Sequence, residues 1–291
     1  MFNRAADQDE CTVCDARRPL VRLFSKRVGP DRASYAIWAC LECGFQWVRP
    51  TPDDGALSAY YAKGVDTDYA NYIRAARMKK EHFRQKFLEL APHLPSPGSM
   101  LDVGCAAGFL LEVAIEHGWD ARGVELNPGF AASTARSLDG RITYGRLSDL
   151  PLESGERTLS LITLFDVLEH TPSPRADLAR CRDRLAPNGV IVVQLPCIDA
   201  LGRKAFGRHW YHYAPPAHLS YFSDATFSKL ALSLGLAVVH SKWTRKSMTL
   251  DYLVAQLATG LGLGRMPSVP AIGKISLRVP MSERLFVLRA P

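Results

Sequence analysis

The apolar positions of this chain change period along its length. From residue 99 to 195, short apolar runs alternate with stretches whose apolar residues recur every three or four positions, which reads as strands followed by helices. An apolar run that ends at Asp102 predicts a strand, Gly104 to Gly108 a tight turn of small residues, and the residues that follow an apolar helix. A second strand is expected over Ala121 to Leu126, and a helix from Asn127-Pro128 to Ser137. A short strand follows over Arg141 to Tyr144, then a buried one over Thr158 to Phe165. A helix over Pro174 to Leu185 and a turn at Pro187-Asn188-Gly189 lead into a strand over Val190 to Leu195. Such alternation predicts an α/β fold with a parallel sheet covered by helices on both faces.

The flanks read differently. Leu20 to Phe24 and Ser34 to Trp38 predict two strands about a turn at Gly29-Pro30-Asp31. Arg49 to Asp68 is rich in Pro, Asp and Gly, which marks a boundary. Tyr60, Tyr61, Tyr69 and Tyr72 precede a helix through Ile73, Met78, Phe83, Phe87, Leu88 and Leu90, basic on its outer face. These aromatics suit helix packing or the cover of a ligand. Beyond residue 195 the pattern predicts a helix over Asp224 to Leu234 and a strand over Ala237 to Trp243. A helix over Ser247 to Leu257, a loop over Gly260 to Gly273 and a last strand over Glu283 to Arg289 complete the chain. The expected organisation is a small module at 1–50, a helical linker or lid at 51–98, and a main domain at 99–291. That domain carries a substrate loop at 196–222 and a helical insertion at 247–279.

With 47% hydrophobic and 22% charged residues among 291, the composition is that of a soluble globular protein. No run of 18 uncharged apolar residues occurs and the N-terminus has no hydrophobic signal core, so a cytoplasmic protein is expected. The net charge of +7 is concentrated in residues 196–291, where 12 basic side chains face 4 acidic ones. Such an excess suits a nucleic acid, an anionic membrane surface, a phosphorylated substrate or plain solvation.

Four of the seven cysteines change the picture of the N-terminal module: Cys11 and Cys14, then Cys40 and Cys43, with 25 residues between the pairs. Each Cys-x-x-Cys turn brings two thiolates to one metal, and two turns close a tetrahedral zinc shell. Gly44 suits the turn that aims amides at sulfur. Two disulfides are disfavoured in a chain without a secretory signal. The expected module is a zinc ribbon whose closed shell makes the metal structural.

The turn after the first strand of the main domain poses the cofactor question. No Gly-Lys-Ser/Thr follows, which excludes a Walker loop, and Gly104-Cys105-Ala106-Ala107-Gly108 lacks the glycine spacing of a pyrophosphate site. A ligand without phosphate remains. S-adenosylmethionine has that form, with an ammonium that Asp102 can meet and ribose hydroxyls that Glu125, 23 residues on, can accept.

Through Asp102-Val-Gly-Cys-Ala-Ala-Gly108, Gly123-Val-Glu125 and Phe165-Asp-Val-Leu-Glu-His170, residues 99 to about 195 resemble the class I S-adenosylmethionine-dependent methyltransferases. The resemblance implies a Rossmann-like doubly wound sheet with an antiparallel final strand. It places Asp102, Gly104 and Gly108 at the methionine end, Glu125 at the ribose, Asp149 at the adenine, and Phe165 and Asp166 beside the methyl group, with Cys105, Ala106 and Leu126 also in the cofactor site. Ala106 departs from the family's usual middle glycine.

Methyl transfer needs an acceptor held in line and, where that acceptor bears a proton, a base. The candidates are His170, just past the fourth strand, and His218, in the aromatic loop Gly207 to Ser223. Trp210 and Tyr213 are expected walls for the acceptor, while His209 and His212 suit the loop surface. The arrangement looks like methyltransferases that carry an N-terminal zinc module and modify sugars. In the sugar C-methyltransferases an Asp-Glu-His segment precedes Phe-Ser; here Pro216-Ala217-His218 lacks the glutamate, so O-methylation fits at least as well. The expected activity is methylation of a sugar, glycan precursor or secondary metabolite. The alternatives are an RNA methyltransferase and a non-catalytic cofactor-binding partner protein. The segment Phe165 to His170 is not of the Asn/Asp-Pro-Pro-Tyr type and no arginine-rich tail follows, which disfavours nucleic acid. A homodimer stays open.

Overall fold

The computed structural model describes residues 10–16, 20–28, 33–53, 55–57, 73, 76–127, 129–130, 138, 140–150, 158–250, 254 and 276–290. The turn expected at Gly29-Pro30-Asp31, the tyrosines Tyr60, Tyr61, Tyr69 and Tyr72, the body of the helix expected up to Ser137 and the loop expected over Gly260 to Gly273 lie outside the described residues.

Strands β1 (Leu20–Val28), β2 (Ala33–Cys40) and β3 (Gln46–Arg49) form an antiparallel N-terminal sheet. Helix α1 (Ala76–Leu90) then leads to β4 (Ser99–Val103), α2 (Phe109–Glu116), β5 (Asp120–Glu125), β6 (Ile142–Tyr144) and β7 (Leu159–Phe165). Helix α3 (Pro174–Arg184), β8 (Leu185–Pro196), α4 (Leu201–Phe206), β9 (Ser220–Tyr221), α5 (Asp224–Ser233), β10 (Ala237–Thr249) and β11 (Ser276–Arg289) follow.

The main sheet has the order β10-β11-β8-β7-β4-β5-β6. Strands β4 to β8 run parallel, and β11 inserts antiparallel between β8 and β10. The fold is therefore a Rossmann-like α/β sheet with an antiparallel final strand. The chain leaves β4 toward β5 on one side and pairs with β7 on the other, so the carboxyl ends of β4 and β7 flank a topological switch point, where ligands bind in such sheets.

Alternation along the strands divides the core. Met100, Leu161, Val190 and Val192 join Phe87, Leu110, Leu111 and Trp119 on the face covered by α1 and α2. Leu101, Val103, Ile162, Leu164, Ile191 and Val193 join Phe227, Leu230 and Phe286 on the other. The second cluster also takes in Cys11, Val13, Cys40 and Phe45 of the N-terminal module, so that module shares a core with the sheet.

Two strand pairings make the connection. Strand β9 pairs antiparallel with β3 as the fourth strand of the N-terminal sheet, and the Val48 amide donates to the Leu219 carbonyl at 2.9 Å. Phe222 lies between the modules, with its ring 4.9 Å from Phe45 and 5.8 Å from Phe227. The Arg175 guanidinium of α3 reaches the carbonyls of Thr12 and Val13 at 2.6 and 3.2 Å.

The helical insertion expected at 247–279 is corrected at both ends. Strand β10 continues to Thr249 and β11 begins at Ser276, because Ser247, Met248 and Thr249 pair with Arg278, Leu277 and Ser276 in one long hairpin ladder.

Replacing Phe222, fully buried between the two modules, by alanine should lower the unfolding free energy by about 3–5 kcal/mol in a urea titration. A loss below about 1 kcal/mol would contradict a shared core.

Candidate active site

The turn after β4 is built by backbone conformation. Gly104, Ala106 and Gly108 have φ of +70°, +47° and +69°. A side chain on Gly104 would also strike Val167 Cγ2 at 2.7 Å. Only glycine meets both demands at that position. Ala106 tolerates the left-handed conformation because Glu125, at the end of β5, accepts its amide at 2.8 Å through Oε2. Through Oε1 the same carboxylate accepts the Asn127 amide at 2.7 Å. Gly123 is needed for closeness, since a Cβ there would lie 2.5 Å from Cys105 Sγ.

Asp102 is buried at the end of β4 and accepts a 2.6 Å hydrogen bond from Thr163 of β7. Burial raises its pKa to about 7, the Thr163 hydroxyl opposes that rise, and the charge of Glu125 adds to it. Burial likewise raises the Glu125 carboxyl. This turn thus forms a cradle between two desolvated carboxyl groups.

Helix α1 closes one side. The Phe83 ring stacks on Phe165 at 6.3 Å, and the Lys86 ammonium sits 4.4 Å from the centre of the Phe165 ring. Lys86 Nζ donates to Gln194 Oε1 at 2.6 Å, and Gln194 Nε2 donates to Asp166 at 3.1 Å and to Glu283 at 3.1 Å. Asp166 has φ of +59°, which turns its carboxylate back to Gln194. Gln194 was missed in the sequence because its strand reads as continuously apolar on either side of it.

Past Asp166 the chain makes a tight turn over Leu168–His170 and brings His170 against His218, ring centres 4.7 Å apart and planes nearly perpendicular. His170 Nδ1 donates to the Ala217 carbonyl at 2.9 Å, and His218 Nδ1 donates to the His212 carbonyl at 2.8 Å. Burial lowers the pKa of both rings, that of His218 to about 4 with His170 adding to the shift, so both are neutral at pH 7. Glu169 lies beneath them, fully buried, its carboxyl pushed well above the ordinary range by burial and then by Asp166.

A profile of the methyltransferase-domain family matches residues 72–241, more than half of the chain. The chain belongs to that family. Curated relatives of this methyltransferase-domain protein include a ubiquinone biosynthesis O-methyltransferase of Psychrobacter arcticus, 34% identical over 101 residues, 32% of this chain and 39% of that one. Another, from Coxiella burnetii, is 29% identical over 122 residues, 40% of this chain and 52% of that one. The matches to these relatives span about two fifths to half of their length. Among solved structures, magnesium protoporphyrin IX methyltransferase of Synechocystis, with bound S-adenosylhomocysteine, has a TM-score of 0.53 at 11% identity, covering 80% of this chain and 99% of that one. The 1,6-didemethyltoxoflavin-N1-methyltransferase of Burkholderia thailandensis has a TM-score of 0.52 at 18% identity, covering 92% and 99%. These two likenesses are of fold.

The structure gathers Asp102, Gly104, Cys105, Ala106, Gly108, Glu125, Leu126, Phe165 and Asp166 at the carboxyl ends of β4, β5 and β7. It corrects two other expectations for this methyltransferase-domain protein. Trp210 and Tyr213 are not acceptor walls: both are buried, with Trp210 Nε1 donating to Ser282 and Tyr213 Oη to Gln46 at 2.7 Å. They anchor the loop to β11 and to the N-terminal sheet. Asp149 caps its own turn, accepting the Arg146 amide at 2.8 Å and the Ser148 hydroxyl at 3.1 Å. His212, expected on the surface, is buried.

The four cysteines come together as expected from their spacing. Sγ atoms of Cys11 and Cys43 are 3.6 Å apart, those of Cys14 and Cys40 3.7 Å, and all four lie within 4.8 Å of one another. Disulfide sulfurs would be about 2.05 Å apart, whereas Zn–S bonds of about 2.3 Å in a tetrahedron put them about 3.8 Å apart.

The Asp102 carboxyl makes a pH prediction. Its pKa in the fold, about 7, lies above the ordinary 3.8, so its contribution to stability is complete below pH ~4 and is lost as pH rises through ~7. Asp102→Asn should remove this dependence. Urea titrations from pH 4 to 8 should show wild type losing stability relative to the variant; parallel profiles would contradict the raised pKa.

Proposed function

We propose that this chain is an S-adenosylmethionine-dependent methyltransferase acting on an oxygen of a small molecule. The observation that carries the reading is the small-residue turn set between the Asp102 and Glu125 carboxyls, with the His170–His218 pair at the end of the segment that follows β7. When bound, S-adenosylmethionine supplies a methyl group on a positively charged sulfur.

The residues suit that cofactor in chemistry as well as position. Asp102 is a buried carboxyl whose negative charge is costly there, and the cofactor's ammonium would offset that cost. Each Glu125 oxygen accepts one backbone amide and keeps a lone-pair site for a ribose hydroxyl. Gly104 and Gly108 let the backbone approach the methionine end, Cys105 and Ala106 complete that turn, and Leu126, partly exposed just beyond Glu125, offers an apolar surface to the adenine. Phe165 and Asp166 border the methyl position, and Lys86 through Gln194 holds Asp166 in place.

Transfer is an in-line displacement, so positioning supplies most of the catalysis. His170 and His218 are neutral at pH 7 and hold the acceptor oxygen and its departing proton. Oxygen is favoured as the acceptor atom by two neutral nitrogen acceptors in one place and by the O-methyltransferases among the relatives. The substrate is a hydroxyl-bearing small molecule such as a sugar, a glycan precursor or a phenolic metabolite. The cysteine cluster fits a structural zinc ion held by Cys11, Cys14, Cys40 and Cys43, and a cytoplasmic location accords with this chemistry.

Glu125→Ala should weaken S-adenosylmethionine binding by about 1–3 kcal/mol in calorimetry, the cost of a lost charged acceptor; an unchanged affinity would place the ribose elsewhere. Elemental analysis of the purified chain should find zinc at the cysteines, and Cys40→Ser should lose it together with several degrees of thermal stability. A folded wild-type chain without zinc would overturn the ribbon.

A further inference from the structure

Glu169, His170 and His218 have the makings of more than a base. A donor atom from each lies within 4.8 Å of the other two, and His170 Nε2 stands 3.7 Å from Glu169 Oε1. A tetrahedral shell with bonds of about 2.1 Å has edges of about 3.4 Å, so the 3.7 Å between His170 Nε2 and Glu169 Oε1 is already close to shell spacing.

The hydrogen bonds of the two rings fix which nitrogen keeps its lone pair. A carbonyl oxygen only accepts, so the bonds to Ala217 and His212 place the proton on Nδ1 of each ring and leave the lone pair on Nε2. Metal-ligating histidines are held in this way by the groups behind them.

Glu169 supplies the independent observation. Its side chain is 2% exposed, and its Oε2 is buried without a hydrogen-bond partner. A carboxylate oxygen stripped of water and given no donor is costly. Asp166 and Glu283 add negative potential around it. A cation at this point answers both features, whereas a bare histidine base explains neither.

We propose that Glu169, His170 and His218 bind one divalent transition-metal ion through one carboxylate oxygen and two Nε2 atoms, at a site separate from the four cysteines. The donor set is nitrogen and oxygen, which suits Mn²⁺, Fe²⁺, Co²⁺ or Zn²⁺ and not a soft ion such as Cu⁺. Three protein ligands leave coordination positions open. The side of the site toward His170, whose side chain is 30% exposed, is where a hydroxyl of the acceptor enters.

The use of the ion rests on the methyl-transfer reading, and the ion takes over from the two rings the direct hold on the acceptor hydroxyl. The hydroxyl oxygen on the ion loses its proton to water, and its lone pair forms the bond to the methyl carbon. The carbon–sulfur bond breaks with its electron pair going to sulfur, which leaves S-adenosylhomocysteine, the methyl ether and a proton. Val167, three residues before His170, packs against Gly104 of the cofactor turn, so the segment that carries two of the ligands also touches the cradle.

The test is Mn²⁺ titration of the full chain followed by electron paramagnetic resonance, because Mn²⁺ avoids the thiolate site. Wild type should bind one equivalent of Mn²⁺. Glu169→Gln and His218→Ala should weaken that binding at least about tenfold while keeping their cysteine-bound zinc and their circular dichroism melts. No Mn²⁺ binding by wild type, or equal binding by both variants, overturns the site. Mn²⁺ binding that vanishes in the variants without any methyl transfer from S-adenosylmethionine upholds the site and removes the proposed reaction instead.

Discussion

Leu219 sends its two backbone groups in opposite directions. Its amide donates to the Glu169 carbonyl at 2.7 Å, and its carbonyl accepts the Val48 amide at 2.9 Å. One peptide segment therefore ties the turn after β7 to the third strand of the cysteine module. His218 precedes it and His170 follows Glu169, so the two imidazoles meet because this segment is fixed at both ends. Tyr221 Oη, donating to the His218 carbonyl at 2.8 Å, and Trp210 and Tyr213, buried on either side, remove the loop's remaining freedom. A loop of this length would otherwise lose its geometry to conformational entropy of about 1–2 kcal/mol per residue. Pairing with β9 also covers the edge of β3, which an isolated ribbon would leave open.

The same economy serves the cofactor side. Lys86 comes from a helix outside the sheet, yet its ammonium is buried against Phe165 and bonded to Gln194, which in turn holds Asp166 and Glu283. A buried cation beside several carboxylates offsets the cost of desolvating them. The cradle and the histidine pair thus meet along one short segment, Phe165 to His170, with α1 fixing its start and β9 its end.

Much of this was legible in the sequence. The alternation of strand and helix periods, the small-residue turn after Asp102 and the spacing to Glu125 carried the α/β sheet, and the two Cys-x-x-Cys turns carried the cysteine cluster. The antiparallel place of β11 came from family resemblance. What escaped had physical reasons. Lys86 shares a helix face with Phe83, Phe87 and Leu90, at offsets of three, one and four residues, but a charge on an apolar stripe reads as solvated unless its partners are known. Met78 and Leu88 entered the helix pattern yet are exposed, at 69% and 64%. Trp210 and Tyr213 looked like substrate walls because nothing local says that a loop's aromatics face inward. Ser247 to Thr249 read as helix because only pairing with Ser276 to Arg278, distant in the chain, makes them strand.

The central claim is that the cysteine module holds the histidine loop in place through Leu219. Hydrogen exchange at the backbone amides of Val48 and Leu219, compared before and after a chelator strips the metal proposed at the cysteines, tests it most directly. The account predicts that both amides lose protection together while those of β7 and β8 keep theirs. Full protection retained at Leu219 in the metal-free protein would contradict it.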